Sequence, residues 1–339
     1  MRHQLLKLGG AALVAWLSLA ACGGTSTGNS SQAGKPAGAD KTTITNWTDP
    51  RPASWSTKYP FFAPVKIGDG SLKRVQDAGK LVICSELDIP PITYTDPKTG
   101  QVAGYEVDTA KAMIKDLGIA SVSYVNIPFA SLIPALQASN CDIAMETISI
   151  KSTRASAPGV KFTVPYIDAP YDSLNVRVGS GVTGLSDLKG KAVATEAGTV
   201  DQANLEQEIA KIGGGITVRA FTGTSECFLA LTNKTVDGCW LSVGASKQAL
   251  AQFPQVMSLP TRYTINAADP AAESKVNPYH YAAEAILTRS ADGDLNLALS
   301  IEVNALRTSG REGTILATWK QSQDAPPTDA SFDFVNPGA

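Results

Sequence analysis

Glu106 and Asp108 stand two positions apart in Gly104-Tyr105-Glu106-Val107-Asp108, and by type alone two such carboxylates would suit general acid–base chemistry. The residues that follow argue otherwise. Ala110, Met113, Ile114 and Leu117 recur at helical spacing, so the pair falls at the opening of a helix predicted over 107–117, where carboxylates meet free backbone N–H groups. Both are therefore left out of the candidate site. A second polar segment, Glu196-Ala197-Gly198-Thr199, opens a helix predicted over 200–212. Its N–H groups and the positive end of the helix dipole favour an anion, although Thr199 would serve equally well as an ordinary N-cap. The histidines are His3 and His280, and no cysteine pair has the close spacing of a zinc site. No metal and no cofactor is expected, and no nucleophile stands beside a base.

The chain begins with a targeting pattern. Arg2, His3 and Lys7 flank a mostly apolar stretch over 8–21, too short to span a bilayer comfortably, that ends in small residues. Residues 1–21 are read as a signal peptide. Leu19-Ala20-Ala21-Cys22 resembles the lipobox of bacterial lipoproteins, in which the cysteine becomes the lipid-bearing N-terminus. That resemblance implies an exported protein anchored through Cys22, facing the periplasm or the cell exterior. Residues 22–45 then form a lipidated flexible linker with little that could build a core, and 46–70 an irregular N-terminal arm carrying Trp47, Trp55, Tyr59, Phe61 and Phe62. Residues 326–339 are a C-terminal tail.

Without residues 1–21 the chain keeps 318 residues, with 27 basic against 31 acidic side chains, a net charge of −4. Both signs are scattered, which excludes nucleic acid as a partner. The length is enough for two lobes with their own cores. Short apolar runs alternate with helix-period segments: strands over 81–84, 122–127 and 141–145, helices over 107–117 and 130–138. The same rhythm restarts after Tyr171, with strands over 173–178 and 192–195, the helix over 200–212, and then a strand over 282–288 before helices over 295–306 and 314–320. Such alternation predicts an α/β protein. Lobe 1 is expected to comprise 71–175 plus 284–325, and lobe 2 residues 176–283. Apart from Cys22 the cysteines are Cys84, Cys141, Cys227 and Cys239. Three pairings are open. Cys227–Cys239 is the first candidate, joining a helix to a strand, while Cys84 and Cys141 are either neighbours or buried thiols.

Six segments in order resemble the bacterial extracellular solute-binding proteins of polar amino-acid uptake transporters, solute-binding protein family 3. They include Gly104-Tyr105-Glu106-Val107-Asp108, Ile127-Pro128-Phe129-Ala130-Ser131-Leu132 and Cys141-Asp142-Ile143-Ala144-Met145-Glu146-Thr147-Ile148-Ser149 leading to Arg154. Further along stand Leu185-Ser186-Asp187-Leu188-Lys189-Gly190, Glu196-Ala197-Gly198-Thr199 and Val236-Asp237-Gly238-Cys239-Trp240. The resemblance implies a type II periplasmic-binding-protein-like fold, with two mixed sheets flanked by helices and a two-strand hinge that lets the lobes close on a small ligand. It makes Arg154 the grip for the ligand's carboxylate, with Thr147 and Ser149 as hydroxyl donors unless they are merely turn residues. Gly198 and Thr199 lie in the loop used for the same carboxylate. Phe129 matches an apolar packing position and Tyr94 lies in the first cleft-facing loop, though either would also suit the core.

Departures from the family pattern matter as much. The position that usually holds an ammonium-binding Asp is Ser242, and Ile89 replaces the aromatic before Pro90-Pro91. Glu146 stands where small or hydroxyl residues are usual. It either supplies the missing negative charge or pairs with Arg154 or Lys151. Trp240 offers a flat face for a cation but would equally end a strand inside the core. The function expected is capture of a small polar, carboxylate-bearing solute, an amino acid or derivative, by a monomer that delivers it to an ABC transporter permease. An enzyme resembling cyclohexadienyl dehydratase, with Glu146 as general acid, and a solute sensor without transport are the alternatives.

Overall fold

A computed structural model describes residues 48–51, 53, 56, 62–150, 152–169, 172–259 and 282–321. The expected signal peptide, Cys22 with its lipid, the linker over 22–45, His280, Lys151 and the C-terminal tail lie outside the described residues. Strands are β1 (Lys80–Ser85), β2 (Asp88–Ile89), β3 (Thr93–Thr95), β4 (Val102–Ala103), β5 (Ser121–Asn126), β6 (Ile143–Ala144), β7 (Val160–Ala169), β8 (Asp172–Arg177), β9 (Ala192–Glu196), β10 (Thr217–Phe221), β11 (Gly238–Ser242), β12 (Val256–Leu259) and β13 (Ala282–Arg289). Helices are α1 (Ser71–Ala78), α2 (Tyr105–Asp116), α3 (Leu132–Gln137), α4 (Ser152–Ala155), α5 (Val200–Lys211), α6 (Thr224–Thr232), α7 (Val243–Gln252), α8 (Gly293–Thr308) and α9 (Arg311–Thr318).

Two five-stranded mixed sheets organise these elements, in the orders β5-β1-β6-β13-β7 and β10-β9-β11-β8-β12. Each has the same plan. In the first, β1 runs parallel to β5 and β6 while β13 is antiparallel to β6 and β7. In the second, β9 runs parallel to β10 and β11 while β8 is antiparallel to β11 and β12. Parallel pairing demands helical crossovers, and α2, α3, α5 and α6 supply them. The chain leaves the first sheet after Ala169, enters the second at Asp172, and is back in the first at Ala282, paired with Ala169. The boundary expected between residues 175 and 176 therefore falls inside β8, and the return precedes residue 284.

The cysteine pairing differs from the first candidate. Cys84, near the end of β1, is bonded to Cys141, just ahead of the adjacent β6, whereas Cys227 on α6 and Cys239 on β11 are buried free thiols. Cys227 and Cys239 do lie side by side as the spacing suggested, but as thiols. The Cys227 thiol is held well above its usual range by hydrogen bonding to Cys239 and by burial. Neighbouring strands of one sheet, with ladder partners Ile83 and Ile143 beside them, bring the other two within bonding reach.

The described part of the N-terminal arm has a packing role. Arg51 donates to Ser300 at 2.8 Å and to Asn296, both on α8, and Phe62 is buried in the first-lobe core. Asp294 accepts the N–H groups of Gly68 and Gly70 at 2.7 and 2.8 Å. The arm is thus tied to α8 by side chains that the helix buries.

Candidate functional site

The parallel strands aim their C-terminal ends at the interface between the sheets, which is where open α/β sheets collect ligands. Glu86 follows β1, Glu146 to Ser149 follow β6, Glu196 closes β9, and Ser242 closes β11 and caps α7. Between them lies a partly open cavity. From the first sheet's side Phe129, Glu146, Thr147, Ser149, Arg154 and Glu284 line it; Glu196, Thr199, Asp201, Thr224 and Ser242 line it from the other.

Arg154 spans the gap. Its guanidinium donates to the Ser149 carbonyl at 3.1 Å and, across the lobes, to the Gly198 carbonyl at 2.7 Å. The Phe129 ring lies 4.9 Å beneath it. Burial lowers its pKa to about 10, opposed by Asp201, Glu284 and Glu196, so the side chain keeps its charge at neutral pH. Thr199 is the N-cap of α5: its hydroxyl donates to the Glu196 carbonyl and accepts the Gln202 N–H. The N-cap alternative is realised, and the same residue also lines the cavity.

Glu106 explains how the Thr147 loop is held. It opens α2 as expected, yet its carboxylate reaches across the sheet instead of capping the helix. It accepts the Thr147 N–H at 2.7 Å, the Thr93 hydroxyl at 3.0 Å and the Tyr166 hydroxyl. Thr147 adopts φ 42°, unusual for a β-branched residue, and the Glu106 and Tyr166 bonds to its N–H hold it there. Asp108 accepts the Trp319 indole N–H and also lies off the site.

Several expected ligand residues are elsewhere. Tyr94 packs edge-on against Trp319 at 6.3 Å and does not line the cavity. Trp240 is buried in the second-lobe core with its indole N–H on Asp172 at 2.9 Å. Trp240 thus satisfies its apolar body within a core and its N–H on a carboxylate, while Tyr94 is only partly buried. Gly198 contributes through the carbonyl that receives Arg154 rather than as lining.

Sequence reasoning missed most of the acidic lining. Asp201 is buried, and its carboxyl group accepts the Ser242 N–H at 2.9 Å, so an acid stands beside the very position where the family's Asp is missing, its pKa raised well above the usual range by burial and then by Asp172. Its neighbour in sequence, two residues past Thr199, was the available signal. Glu196 sat inside a quoted motif; its Oε2 accepts the Thr224 hydroxyl at 2.9 Å. Glu86, Glu146 and Glu196 each offer an oxygen within 4.8 Å of the others. Glu146 accepts the Glu86 N–H at 2.6 Å and has no ion pair to Arg154 among the described residues.

Burial, reinforced by mutual repulsion, holds Glu86 and Glu146 protonated at neutral pH and Glu196 partly so. Burial, then the carboxyl of Glu196, raises Glu86 to about 10; burial raises Glu196 to about 7; burial and then Glu86 push Glu146 well above its usual range. An acid whose pKa is higher in the folded protein than in the unfolded chain stabilises the fold at low pH and loses that contribution as pH rises through the folded value. The ligand-free protein is therefore expected to melt at progressively lower temperature between about pH 5 and about pH 9. A melting curve flat or rising over that range would contradict the shared protons.

Closure is tight at Gly223, where an added Cβ would lie 2.5 Å from Glu86 Oε1 of the opposite lobe. Gly223→Ala should disfavour the closed form by about 1–3 kcal/mol, roughly a five- to hundredfold loss of solute affinity. Titration calorimetry checks the affinity, and an unchanged dissociation constant would show that Glu86 yields freely.

Two mixed sheets of matching topology closing on a cavity at their strand ends define a type II binding protein, the class expected from sequence. The chain matches the Bacterial extracellular solute-binding proteins, family 3, over residues 81–322, and it belongs to that family. It is 28% identical over 193 residues to the probable ABC transporter extracellular-binding protein YckB of Bacillus subtilis, covering 56% of this chain and 64% of that protein. The glutamine-binding protein of Geobacillus stearothermophilus is 29% identical, with 48% and 61% covered. The ABC transporter arginine-binding protein 1 of Escherichia coli is 28% identical, with 46% and 60% covered. The chain thus spans less than two thirds of the length of these relatives. Among solved structures, the Salmonella typhimurium periplasmic binding protein STM4351 superposes with a TM-score of 0.61 at 24% identity, covering 71% of this chain and 98% of that one. An ancestral arginine-binding protein bound to arginine gives 0.60 at 23%, with 71% and 98% covered. At such identities the structures speak to fold. Among the described residues no helix is long and apolar enough to cross a membrane.

Proposed function

We propose that the chain is an exported, lipid-anchored binding protein that captures an amino acid or a close derivative and presents it to an ABC uptake permease. The carrying observation is Arg154, a buried, charged guanidinium at the inter-lobe cavity with its hydrogen bonds to Ser149 and Gly198 carbonyls. It suits a carboxylate because its planar fork can grip two oxygens at once. Thr147, Ser149 and Thr199 add hydroxyls to that end, and Asp201 beside Ser242 is the acceptor for the α-ammonium. Phe129 covers the anchor. Cys22 is the lipid attachment point, and the linker over 22–45 gives the two lobes reach from the membrane.

Thermal-shift measurements across amino acids, opines, betaines and small carboxylates test this reading, since a ligand stabilises the native state by RT ln(1 + [L]/Kd). An amino acid or derivative is expected to raise the melting temperature, and a panel in which none does would overturn the proposal. Glu146, a buried acid facing the same cavity, is the observation that favours a dehydratase instead. Recovery of the bound solute unchanged supports transport; its stoichiometric conversion would establish the enzyme.

A further inference from the structure

The cavity is lined by more ionisable acids than a neutral amino acid can answer. Among the described residues, Glu146, Glu196 and Asp201 line it with one cation, Arg154. A zwitterion adds one positive and one negative group, and leaves that imbalance where it was. Ionising such buried acids without a partner costs several kcal/mol each, so they hold protons unless a cation enters.

The surplus is concentrated in one place. Glu86, Glu146 and Glu196 are 7%, 1% and 4% exposed, and their oxygens approach within 4.8 Å of one another. They come from the ends of β1, β6 and β9, hence from both lobes. Glu146 Oε1 is buried and has no hydrogen-bond partner, although Glu146 lines the cavity. Three converging acceptors match the donors of an ammonium or the fork of a guanidinium. A hard divalent cation would need water or second carboxylate oxygens to complete six ligands beside the three oxygens that converge.

We infer that Glu86, Glu146 and Glu196 form a subsite for an organic cation, and that the solute is an amino acid whose side chain ends in an ammonium or guanidinium group. The inference rests on the amino-acid reading above. Such a group joins acids of both lobes, so it rewards closure as well as filling the subsite. Without it the acids hold protons: Glu86 is raised by burial, Glu196 and Asp88, and Glu146 by burial, Glu86, Glu196 and Glu106, while Glu196 is raised by burial against hydrogen bonds from Glu86 and the Thr224 hydroxyl and the charge of Arg154. Binding of the cation displaces those protons, so affinity rises with pH and protons are released.

The test is calorimetry on the full chain with arginine, lysine, citrulline, glutamine and agmatine, and with Ca²⁺, Mg²⁺ or Mn²⁺ alone, each in buffers of different ionisation enthalpy. Arginine or lysine is expected to bind at least about tenfold more tightly than citrulline, with proton release, and Glu146→Gln to narrow that preference. Glu196→Gln serves if the first variant does not fold. Citrulline or glutamine binding as tightly as arginine overturns the cation subsite and leaves the amino-acid reading standing. Agmatine binding where no amino acid binds overturns the amino-acid reading but keeps the subsite. A divalent ion that binds alone and is lost in Glu146→Gln replaces the organic cation with a metal, and silence across the whole panel overturns both.

Discussion

Arg154→Ala is expected to weaken binding of an amino-acid solute by about 3 kcal/mol or more, a factor of roughly a hundred or greater in Kd. The guanidinium is buried, and its removal leaves the solute's carboxylate desolvated without a counter-charge. It also deletes the bond from the first lobe to the Gly198 carbonyl, so the closed form loses a lobe-to-lobe contact together with its anchor. Arg154→Lys should recover only part of the loss, because an ammonium cannot reproduce the two-pronged grip. Titration calorimetry on the wild type and both variants gives the result directly. Equal affinities for wild type and Arg154→Ala would remove this residue from the site.

Replacing Cys84 and Cys141 together by serine is expected to lower stability by about 4 kcal/mol, the loop-entropy value for a bridge closing a loop of this length. The two residues are 57 positions apart, and both are buried in the first lobe. That loss corresponds to a fall on the order of 10 °C in Tm, readable by differential scanning calorimetry. Changing Cys227 and Cys239 to serine should cost less, because no covalent loop opens. The opposite ranking would mean that the bond joins the α6–β11 pair instead. Solute affinity at the remaining folded fraction should be nearly unchanged in the Cys84/Cys141 variant, since neither residue lines the cavity.

Much of the architecture was legible in the chain. Apolar runs at strand length and helical spacing located β1, β5, β8, β9 and β13 and helices α2, α5 and α8 within a few residues, because burial on one face imposes those periods locally. The edge elements β10 and β12 were not picked out. Thr217 to Phe221 has only partly buried or exposed side chains, so it carries little hydrophobic signal and is a strand by virtue of pairing with β9. The motif over 141–154 likewise announced Arg154, Thr147 and Ser149, since their spacing from one strand end is set within a few residues of sequence.

What the sequence determined by itself, then, was everything carried by short-range spacing: two α/β halves, the order of their elements, and the anchor beside β6. Tertiary structure alone decided the charge of the cavity and the pairing of the cysteines. Glu86, Glu146 and Glu196 are about 50 and 60 residues apart in the chain and meet only because parallel strands from two sheets end at a common crevice. The same long-range topology sends Glu106 to Thr147 and Tyr166, turns Trp240 into the core, and sets Cys84 beside Cys141. Contacts of that kind depend on which strands become neighbours, and local periodicity holds no record of it.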